Sequence, residues 1–169
     1  MIVAFPPLRE EDVILVERWL KEDHVARWWR EPVEEAIEKR YAGIEGRRLT
    51  RQFLIELDRR PAGMIQTYLV RDHPEWQELV KVGDDVAGVD LMIGEPDLVG
   101  HGFGPRVLSA FVEDVVFADR FTNAVVATVE EPNRRSWRAF EKAGFQHVRD
   151  VEEDGLPHRL MRLERRYAQ

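Results

Sequence analysis

A glycine-rich segment stands immediately before an apolar helical pattern. Gly100, Gly102 and Gly104 alternate with other residues in "VGHGFG", and apolar residues at helical spacing follow. Glycine lets a ligand approach the backbone closely, and the first turn of a helix offers unpaired N–H groups with a partial positive charge. Together these features predict an anion-binding loop suited to a phosphate. A turn that only joins a strand to a helix is the alternative.

This loop does not match the common nucleotide-binding patterns. The nucleoside triphosphate loop requires GxxxxGK[ST], and the chain contains no Gly-Lys-Ser or Gly-Lys-Thr step. The dinucleotide fingerprint requires GxGxxG, whereas this segment has GxGxG. Neither class of nucleotide therefore fits the loop.

A second segment, "VVATVEEPNRRSWRAFEKAGF", has the form strand, Asn, helix, Lys-x-Gly-Phe. With both segments, and in its order of elements, the chain resembles the GCN5-related N-acetyltransferases (GNAT), which move acetyl from acetyl-coenzyme A to an amine. The resemblance implies that acetyl-CoA is the cosubstrate and CoA a product. The residues placed against the coenzyme by this resemblance are Leu91, Met92, Ile93, Val99, Gly100, His101, Gly102, Phe103, Gly104, Asn133, Ser136, Phe140 and Lys142.

The chain departs from the family pattern at two of these positions. Val99 stands where Gln or Arg is usual, which removes one side chain but no backbone donor. Phe140 replaces a tyrosine that many relatives are thought to use to protonate the departing thiolate, and phenylalanine has no proton to donate. Water or Ser136, one helical turn earlier, would then supply that proton.

The catalytic base implied by the resemblance is Asp90, in the strand before the loop. An alkyl amine with a pKa of about 10 is almost fully protonated at neutral pH, so a nearby carboxylate has to take its proton. The resemblance also implies that main-chain N–H groups around Leu91 and Met92 polarise the acetyl oxygen. An aspartate on the polar face of an alternating strand is the alternative for Asp90.

Aromatic and polar residues elsewhere are candidates for binding the acceptor. Trp28 and Trp29 are adjacent, and they could stack on a sugar ring or fill the core. Gln66 and Tyr68 alternate along one strand, and their positions match the acceptor site of aminoglycoside-modifying relatives. Trp76 is a further candidate at the rim. Asp90 would also orient a cationic amine.

The predicted helices and strands determine where these candidate residues lie in the fold. We expect a short strand closed by Pro6 and Pro7, two helices in "REEDVILVERWLKED" and "PVEEAIEKRYAG", and a hairpin from "QFLIELD" and "AGMIQTYLV". "HPEWQELVKVGDD" is a polar segment without an assigned structure. "VAGVDLMIG" predicts a strand before the loop, followed by a helix over 105–118. "TNAVVATVE" predicts a buried strand, then a helix capped by Asn133 and ended by Gly144, then a hairpin around "DGLP".

This order predicts the α+β class. The expected fold is GNAT-like, with a mixed, mostly antiparallel sheet of about six to seven strands flanked by about four helices. A chain of 169 residues is expected to form a single domain over residues 1–169.

Composition and net charge limit the classes of function that the chain could have. The formal charge of −7 argues against nucleic-acid binding and is compatible with a cationic substrate. Ordinary surface charge that maintains solubility is the simpler explanation of the same value. There is no cysteine, which excludes disulfides and a thiol nucleophile. The five histidines show no metal-ligand spacing, so no metal is expected. Neither a secretory signal nor a membrane-spanning run is found, so we expect a cytoplasmic protein acting as monomer or homodimer.

Within the family, the chain resembles the aminoglycoside 6′-N-acetyltransferases and related siderophore-type acetylases. This resemblance implies an acetyl-CoA-dependent N-acetyltransferase whose acceptor is a primary amine of a small cationic molecule. An aminoglycoside 6′-amine is the first choice, with antibiotic resistance as the implied consequence. The alternatives are acetylation of a siderophore hydroxylamine, acetylation of a protein N-terminus, and a non-catalytic acyl-CoA sensor, the last suggested by Phe140.

Overall fold

The computed structural model describes residues 1–167, which form seven β-strands and six α-helices. The strands are β1 (Val3–Ala4), β2 (Arg51–Leu57), β3 (Arg60–Leu69), β4 (Val86–Ile93), β5 (Ala124–Glu130), β6 (Gln146–Glu153) and β7 (Leu156–Glu164). The helices are α1 (Val13–Leu20), α2 (Asp23–Ala26), α3 (Val33–Ile44), α4 (Pro74–Val80), α5 (Phe103–Phe111) and α6 (Arg134–Lys142). The predicted domain extends to residue 169, so its last two residues lie outside the described part.

The strands follow the order β1-β2-β3-β4-β5-β7-β6 in the sheet. The registers of β1 with β2, β2 with β3, β5 with β7 and β6 with β7 are antiparallel. The register of β4 with β5 is parallel and runs from Val86↔Ala124 to Gly88↔Val126. The predicted α+β class with a mostly antiparallel sheet is confirmed.

A tight turn joins the two strands of each hairpin that the sequence predicts. Between β2 and β3, Asp58 and Arg59 both have positive φ values, 50° and 69°. Between β6 and β7, Asp154 has φ 51° and Gly155 has φ 76°. Two successive residues with positive φ match the right-handed twist of the flanking strands, which is why such turns join antiparallel neighbours.

The described residues form six helices where about four were expected, because two short helices lack a clear sequence pattern. The helix α2 has only four residues. The helix α4 lies in the polar segment left unassigned; it opens with Pro74 at its first turn and ends at Lys81, which has a left-handed φ of 55°. No helix among residues 1–167 is long and apolar enough to cross a membrane.

The helix after the glycine segment differs from its predicted bounds of 105–118. It begins at Phe103, since Gly102 takes a left-handed conformation with φ 79° and turns the chain into the helix. After Phe111 it widens into a π-helical segment, Val112–Val116. The predicted apolar stripe is nevertheless buried, with Leu108 and Phe111 each 0 % exposed.

One compact unit of the chain consists of residues 1–67 and 90–101. Its buried core is formed by Leu8, Val16, Trp19, Leu20, Val25, Ala36, Leu54, Met64 and Met92. Trp19 of α1 lies directly against Gly94, where a Cβ would come within 2.1 Å of the indole ring. Glycine is therefore required at that position, and the end of β4 is held against α1.

The second compact unit consists of residues 68–89 and of residues from 102 onward. One of its buried clusters is formed by Val70, Val80, Val86, Ala124, Val126, Val151 and Leu160. The helices α5 and α6 lie against each other in this unit, and a Cβ on Gly104 would stand 3.3 Å from the Cβ of Ala139. Gly104 thus permits the close approach of the two helices.

Candidate active site

Asp90 lies on β4 and is held by a neighbour on β3. The Gln66 side-chain amide donates a hydrogen bond from Nε2 to Oδ2 of Asp90, with the two atoms 3.0 Å apart. Gln66 is 7 % exposed and Asp90 is half-buried. A carboxylate that is partly open and held by a neutral amide can accept a proton while keeping this hydrogen bond. The structure therefore brings together two of the residues that the sequence singled out.

The end of β4 after Asp90 is fixed by contacts with its own unit. A Cβ on Gly63 of β3 would come within 2.0 Å of the Met92 carbonyl oxygen, so β3 and β4 approach closely there. A ring nitrogen of His24, Nε2, lies 2.9 Å from the Ile93 carbonyl oxygen. Leu91 and Ile93 are half-buried, whereas Met92 is buried in the core. The backbone that is predicted to contact the acetyl group is thus rigidly supported.

The glycine segment has the backbone conformation that its sequence requires. Gly100 and Gly102 both take positive φ values, 81° and 79°. No atom of another residue in the described range 1–167, its two chain neighbours aside, lies within 4 Å of the position that a Cβ on Gly102 would take. His101 and Gly102 are exposed, so the loop presents its backbone outward just before the first turn of α5.

Ionic contacts fix the chain where it enters this loop, and the sequence analysis did not identify them. Arg60 donates two hydrogen bonds to Asp97, at 2.9 and 2.8 Å. The Arg60 hydrogen bonds hold the pKa of the Asp97 carboxyl below its usual range. Glu95 accepts a hydrogen bond from the Trp19 indole at 3.0 Å and another from Arg18. Only the density of charges in "GEPD" could have suggested these partners.

The helix α6 carries the four coenzyme candidates of the second motif. Phe140 is 3 % exposed, and its ring meets that of Phe145 edge to face at 5.0 Å. Asn133 and Ser136 are half-buried, and Lys142 is exposed. The helix does begin after Asn133, but the predicted side-chain cap is absent: its side chain makes no capping hydrogen bond, and its carbonyl accepts from the Trp137 amide at 3.2 Å.

The acceptor candidates lie in both compact units. Trp28 and Trp29 belong to the same unit as Gln66 and Asp90, and both tryptophans are half-buried. Trp29 packs against the core of that unit and donates from Nε1 to Glu31 at 3.0 Å. These contacts fit the core alternative, and acceptor binding by Trp28 and Trp29 stays a prediction.

Tyr68 and Trp76 belong to the other unit, where they form an aromatic cluster. Their ring centroids are 5.8 Å apart, and the ring of His73 lies 4.9 Å from that of Tyr68. Gly88 of β4 makes room for the phenol, since a Cβ there would come within 2.5 Å of the Tyr68 ring. These aromatic side chains thus form one continuous surface.

A cavity of about 750 Å³ opens beside Trp76 in the same unit. Its lining residues are Asp72, His73, Pro74, Glu75, Trp76, Leu79, Glu152, Glu153 and Asp154. Five of these are acidic, so the cavity attracts cations. Sequence analysis missed the acids of the β6–β7 hairpin, although the run "EED" was a visible signal.

Glu153 organises this cavity. It accepts hydrogen bonds from the Trp76 indole at 2.6 Å and from the Thr128 hydroxyl at 2.9 Å. The His158 Nε2 lies 3.5 Å from its carboxylate. Glu153 thus fixes the indole that forms part of the cavity wall.

Among residues 1–167 there is no group of three or more His, Asp or Glu side chains placed to hold a metal ion.

Comparison with known proteins identifies a family for most of the chain. Residues 9–153 match the family described as the acetyltransferase (GNAT) domain. The aminoglycoside N(6′)-acetyltransferase type 1 of Klebsiella pneumoniae is 25 % identical over 146 residues, which cover 82 % of this chain and 71 % of that protein. The enzyme of the same name from Serratia marcescens matches with the same values.

Solved structures share the fold over nearly the whole chain. Aminoglycoside acetyltransferase AAC(6′)-Ib in complex with ribostamycin and coenzyme A superimposes with a TM-score of 0.87 at 23 % identity, covering 98 % of this chain and 94 % of that one. The same enzyme in complex with coenzyme A and kanamycin gives a TM-score of 0.86 at 24 % identity, covering 97 % and 95 %.

Proposed function

The chain belongs to the acetyltransferase (GNAT) domain family, and on this basis we propose that it transfers acetyl from acetyl-CoA to a primary amine of a small polycationic acceptor, with an aminoglycoside as the preferred candidate. The observation that carries the choice of acceptor is the acidic cavity beside Trp76. The names of the relatives at 25 % identity support the same choice.

The coenzyme fits the glycine segment and the start of α5. Gly100 and Gly102 take positive φ values and have no Cβ that could cover the loop backbone. The first N–H groups of α5 follow directly. Such a helix start binds phosphate oxygens through its unpaired amides and its dipole. Acetyl-CoA bound there supplies the acetyl group as an activated thioester.

Asp90 acts as the general base. It accepts the proton of the acceptor ammonium, directly or through water, and so produces the neutral amine that can attack. Gln66 keeps the carboxylate in place through the hydrogen bond at 3.0 Å. The main-chain amides around Leu91 and Met92, which directly follow Asp90 on β4, are the candidate donors to the acetyl oxygen.

The acidic cavity binds the acceptor through several charges at once. Asp72, Glu75, Glu152 and Asp154 surround Trp76, whose indole is fixed by Glu153. Amino sugars present both ammonium groups, which pair with carboxylates, and apolar ring faces, which pack on an indole. A hydroxylamine or a protein N-terminus carries fewer positive charges and would use fewer of these acids.

A non-catalytic acyl-CoA sensor is the second candidate, and Phe140 is the observation in its favour. Its side chain is buried and cannot protonate a thiolate. A thiol with a pKa of about 8.5 is nevertheless a tolerable leaving group, so the transferase does not require an acid at this position.

The deciding experiment measures CoA release from acetyl-CoA with three amines: kanamycin, N-hydroxylysine and a short peptide with a free N-terminus. We expect release with kanamycin and a kanamycin product that has gained one acetyl group by mass spectrometry. Asp90→Asn is the control for catalysis by the site. Binding of acetyl-CoA with no turnover on any amine would establish the sensor instead.

A further inference from the structure

The segment that leads from β4 to the glycine loop, residues 94–99, is attached at its start to two elements of its own compact unit. The backbone N–H groups of Gly94 and Glu95 both donate to the Ala62 carbonyl on β3, at 2.8 and 3.2 Å. The Glu95 carboxylate accepts a hydrogen bond from the Trp19 indole on α1 at 3.0 Å. These contacts fix the part of the segment next to β4, and the part next to the loop is held separately.

Arg60 holds the part next to the loop. Its Nη1 and Nη2 donate to the two carboxylate oxygens of Asp97 at 2.9 and 2.8 Å, and Nη2 also lies 3.8 Å from a carboxylate oxygen of Glu95. A guanidinium that bonds both oxygens of one carboxylate fixes its orientation as well as its distance. The Arg60 hydrogen bonds lower the pKa of the Asp97 carboxyl, so the pair is fully charged at neutral pH.

The β2–β3 turn sets the position of Arg60. Asp58 and Arg59 form this turn with φ values of 50° and 69°, and Arg60 follows as the first residue of β3, opposite Leu57. Its backbone therefore belongs to the sheet, while its side chain reaches a residue 37 positions later in the chain. The contact with Asp97 thus ties the coenzyme loop to the end of a hairpin.

A tight turn connects Asp97 to the loop. Asp97 is the middle residue of the short 3₁₀ turn Pro96–Leu98, and only two residues separate it from Gly100. The amides of the two residues after Asp97 donate to the carbonyls of the two residues before it, at 3.1 and 3.3 Å. Because the turn is closed by these hydrogen bonds, the position of Asp97 determines how the chain enters the loop.

The charge of Arg60 matters for the same reason. Acidic side chains next to a site for a diphosphate disfavour its binding unless they are neutralised. Glu95 and Asp97 lie in the segment that leads to this site, and each has an arginine partner: Arg18 pairs with Glu95, and Arg60 pairs with Asp97. The Arg60 and Asp97 side chains are 49 % and 62 % exposed, and so exposed a pair adds little to the stability of the fold.

We propose that Arg60 is a positioning residue for the coenzyme: through its two hydrogen bonds to Asp97 it sets the entry of the glycine loop, and it neutralises the last carboxylate before that loop in the sequence. The inference rests on the proposed function, in which the glycine segment binds the diphosphate of acetyl-CoA.

The first test replaces Arg60 by an uncharged side chain of similar length. In Arg60→Met we expect the Kd for CoA, measured by calorimetry, and the KM for acetyl-CoA to rise about five- to tenfold. The kcat and the KM for the acceptor should stay close to those of the parent chain, and the melting temperature should change little. Equal Kd values for Arg60→Met and the parent chain would overturn the inference.

Arg47→Met is the matched control for this substitution. Arg47 belongs to the same unit, its side chain is 52 % exposed, and it also bonds two carboxylates, those of Glu38 and Glu45. It therefore removes the same charge and the same kind of contact away from the loop. A rise in the Kd for CoA equal to that of Arg60→Met would show that net charge, and not the contact with Asp97, affects the coenzyme.

A double-mutant cycle with Asp97→Asn tests whether Arg60 acts through this contact. If it does, adding Arg60→Met to Asp97→Asn should have little further effect on the Kd for CoA. The full five- to tenfold loss in the Asp97→Asn background would overturn the inference.

Hydrogen exchange of the free protein, followed by NMR, gives a readout that needs neither coenzyme nor turnover. We expect the amides of Leu98 and Val99, the donors within the turn, to exchange faster in Arg60→Met but not in Arg47→Met. Unchanged exchange would overturn the inference. If the parent chain binds no CoA, the proposed function fails and with it the role of Arg60 in coenzyme binding, while the exchange rates still decide whether Arg60 orders the entry of the loop.

Discussion

Asp90 and Gln66 form the smallest part of the site that can be tested alone. In Asp90→Asn the amide oxygen can still accept the Gln66 hydrogen bond, which is 3.0 Å long in the parent chain. What is lost is the proposed general base, so kcat should fall by about 10²- to 10⁴-fold near neutral pH. The deficit should shrink as pH approaches the amine pKa of about 10, because the free amine needs no base.

Steady-state rates between pH 6 and 10, with calorimetry of acetyl-CoA binding as control, check this prediction. The coenzyme affinity should not change, since the substitution is conservative in shape. A parent-like rate at neutral pH would remove Asp90 from the role of base.

Phe140 permits the reverse experiment, in which a missing group is added. Its ring is 3 % exposed and meets Phe145 at 5.0 Å, so a tyrosine would place a hydroxyl in a largely buried position. An unsatisfied buried hydroxyl costs about 1–3 kcal/mol. We expect Phe140→Tyr to release CoA faster while its free energy of unfolding decreases by about 1 kcal/mol. Phe145→Tyr is the control for the cost of burial alone, and equal rates in both variants would show that no proton donor is lacking at position 140.

At the scale of elements, the sequence predicted what depends on local pattern and missed what depends on tertiary contacts. The hairpins, β4 and α6 follow from alternation, turn residues and helical spacing. The helix α4 was missed because its polar sequence shows no periodicity, and it forms against Val70 and Leu160 of its own unit. The Asn133 cap was predicted from residue type, but the side chain does not reach the amides of α6.

In the candidate site too, residues that depend on a local pattern were predicted, and features that depend on tertiary contacts were missed. Asp90 and Gln66 were predicted from motif and alternation, and the structure joins them by a hydrogen bond. The acidic cavity was not predicted, because its walls come from α4 and the β6–β7 hairpin, which are far apart in sequence.

In the glycine loop, a side chain can be added at Gly102 without a steric clash. Gly102 has φ 79°, and an added Cβ would have no neighbour beyond the two adjoining residues within 4 Å in the part of the chain that the structure describes. Gly102→Ala therefore adds only conformational strain, about 1–2 kcal/mol for an L-residue in the left-handed region. The loop can relieve this strain by leaving its conformation, so the KM for acetyl-CoA should rise by about 5- to 30-fold.

Gly102→Asn is the matched control for this change. Asparagine adopts the left-handed conformation several-fold more often than other non-glycine residues. Its KM for acetyl-CoA should therefore lie between those of the parent chain and Gly102→Ala, with kcat for the acceptor unchanged. Equal KM values for all three would show that the loop conformation does not matter for coenzyme binding.

At the scale of the whole molecule, the proposed function predicts that negative charge attracts the acceptor. The chain carries a formal charge of −7, and one unit concentrates five acids around the cavity beside Trp76. The attraction of a polycation to such a surface is screened by salt, with a Debye length of about 10 Å at 0.1 M. The KM for kanamycin should thus rise steeply with NaCl, whereas the KM for acetyl-CoA should not rise in parallel.

Removing one charge from the cavity should reduce this salt dependence. Glu152 is exposed at the cavity wall and, unlike Glu153, does not fix the Trp76 indole. In Glu152→Gln we expect the KM for kanamycin at low salt to rise by a few fold, which corresponds to a loss of about 1 kcal/mol or less for one exposed pair. The exposed Glu34 on α3 lies outside the cavity, so Glu34→Gln removes the same charge from the molecule without touching this wall. If both variants raised the KM equally, net charge rather than the cavity would attract the acceptor.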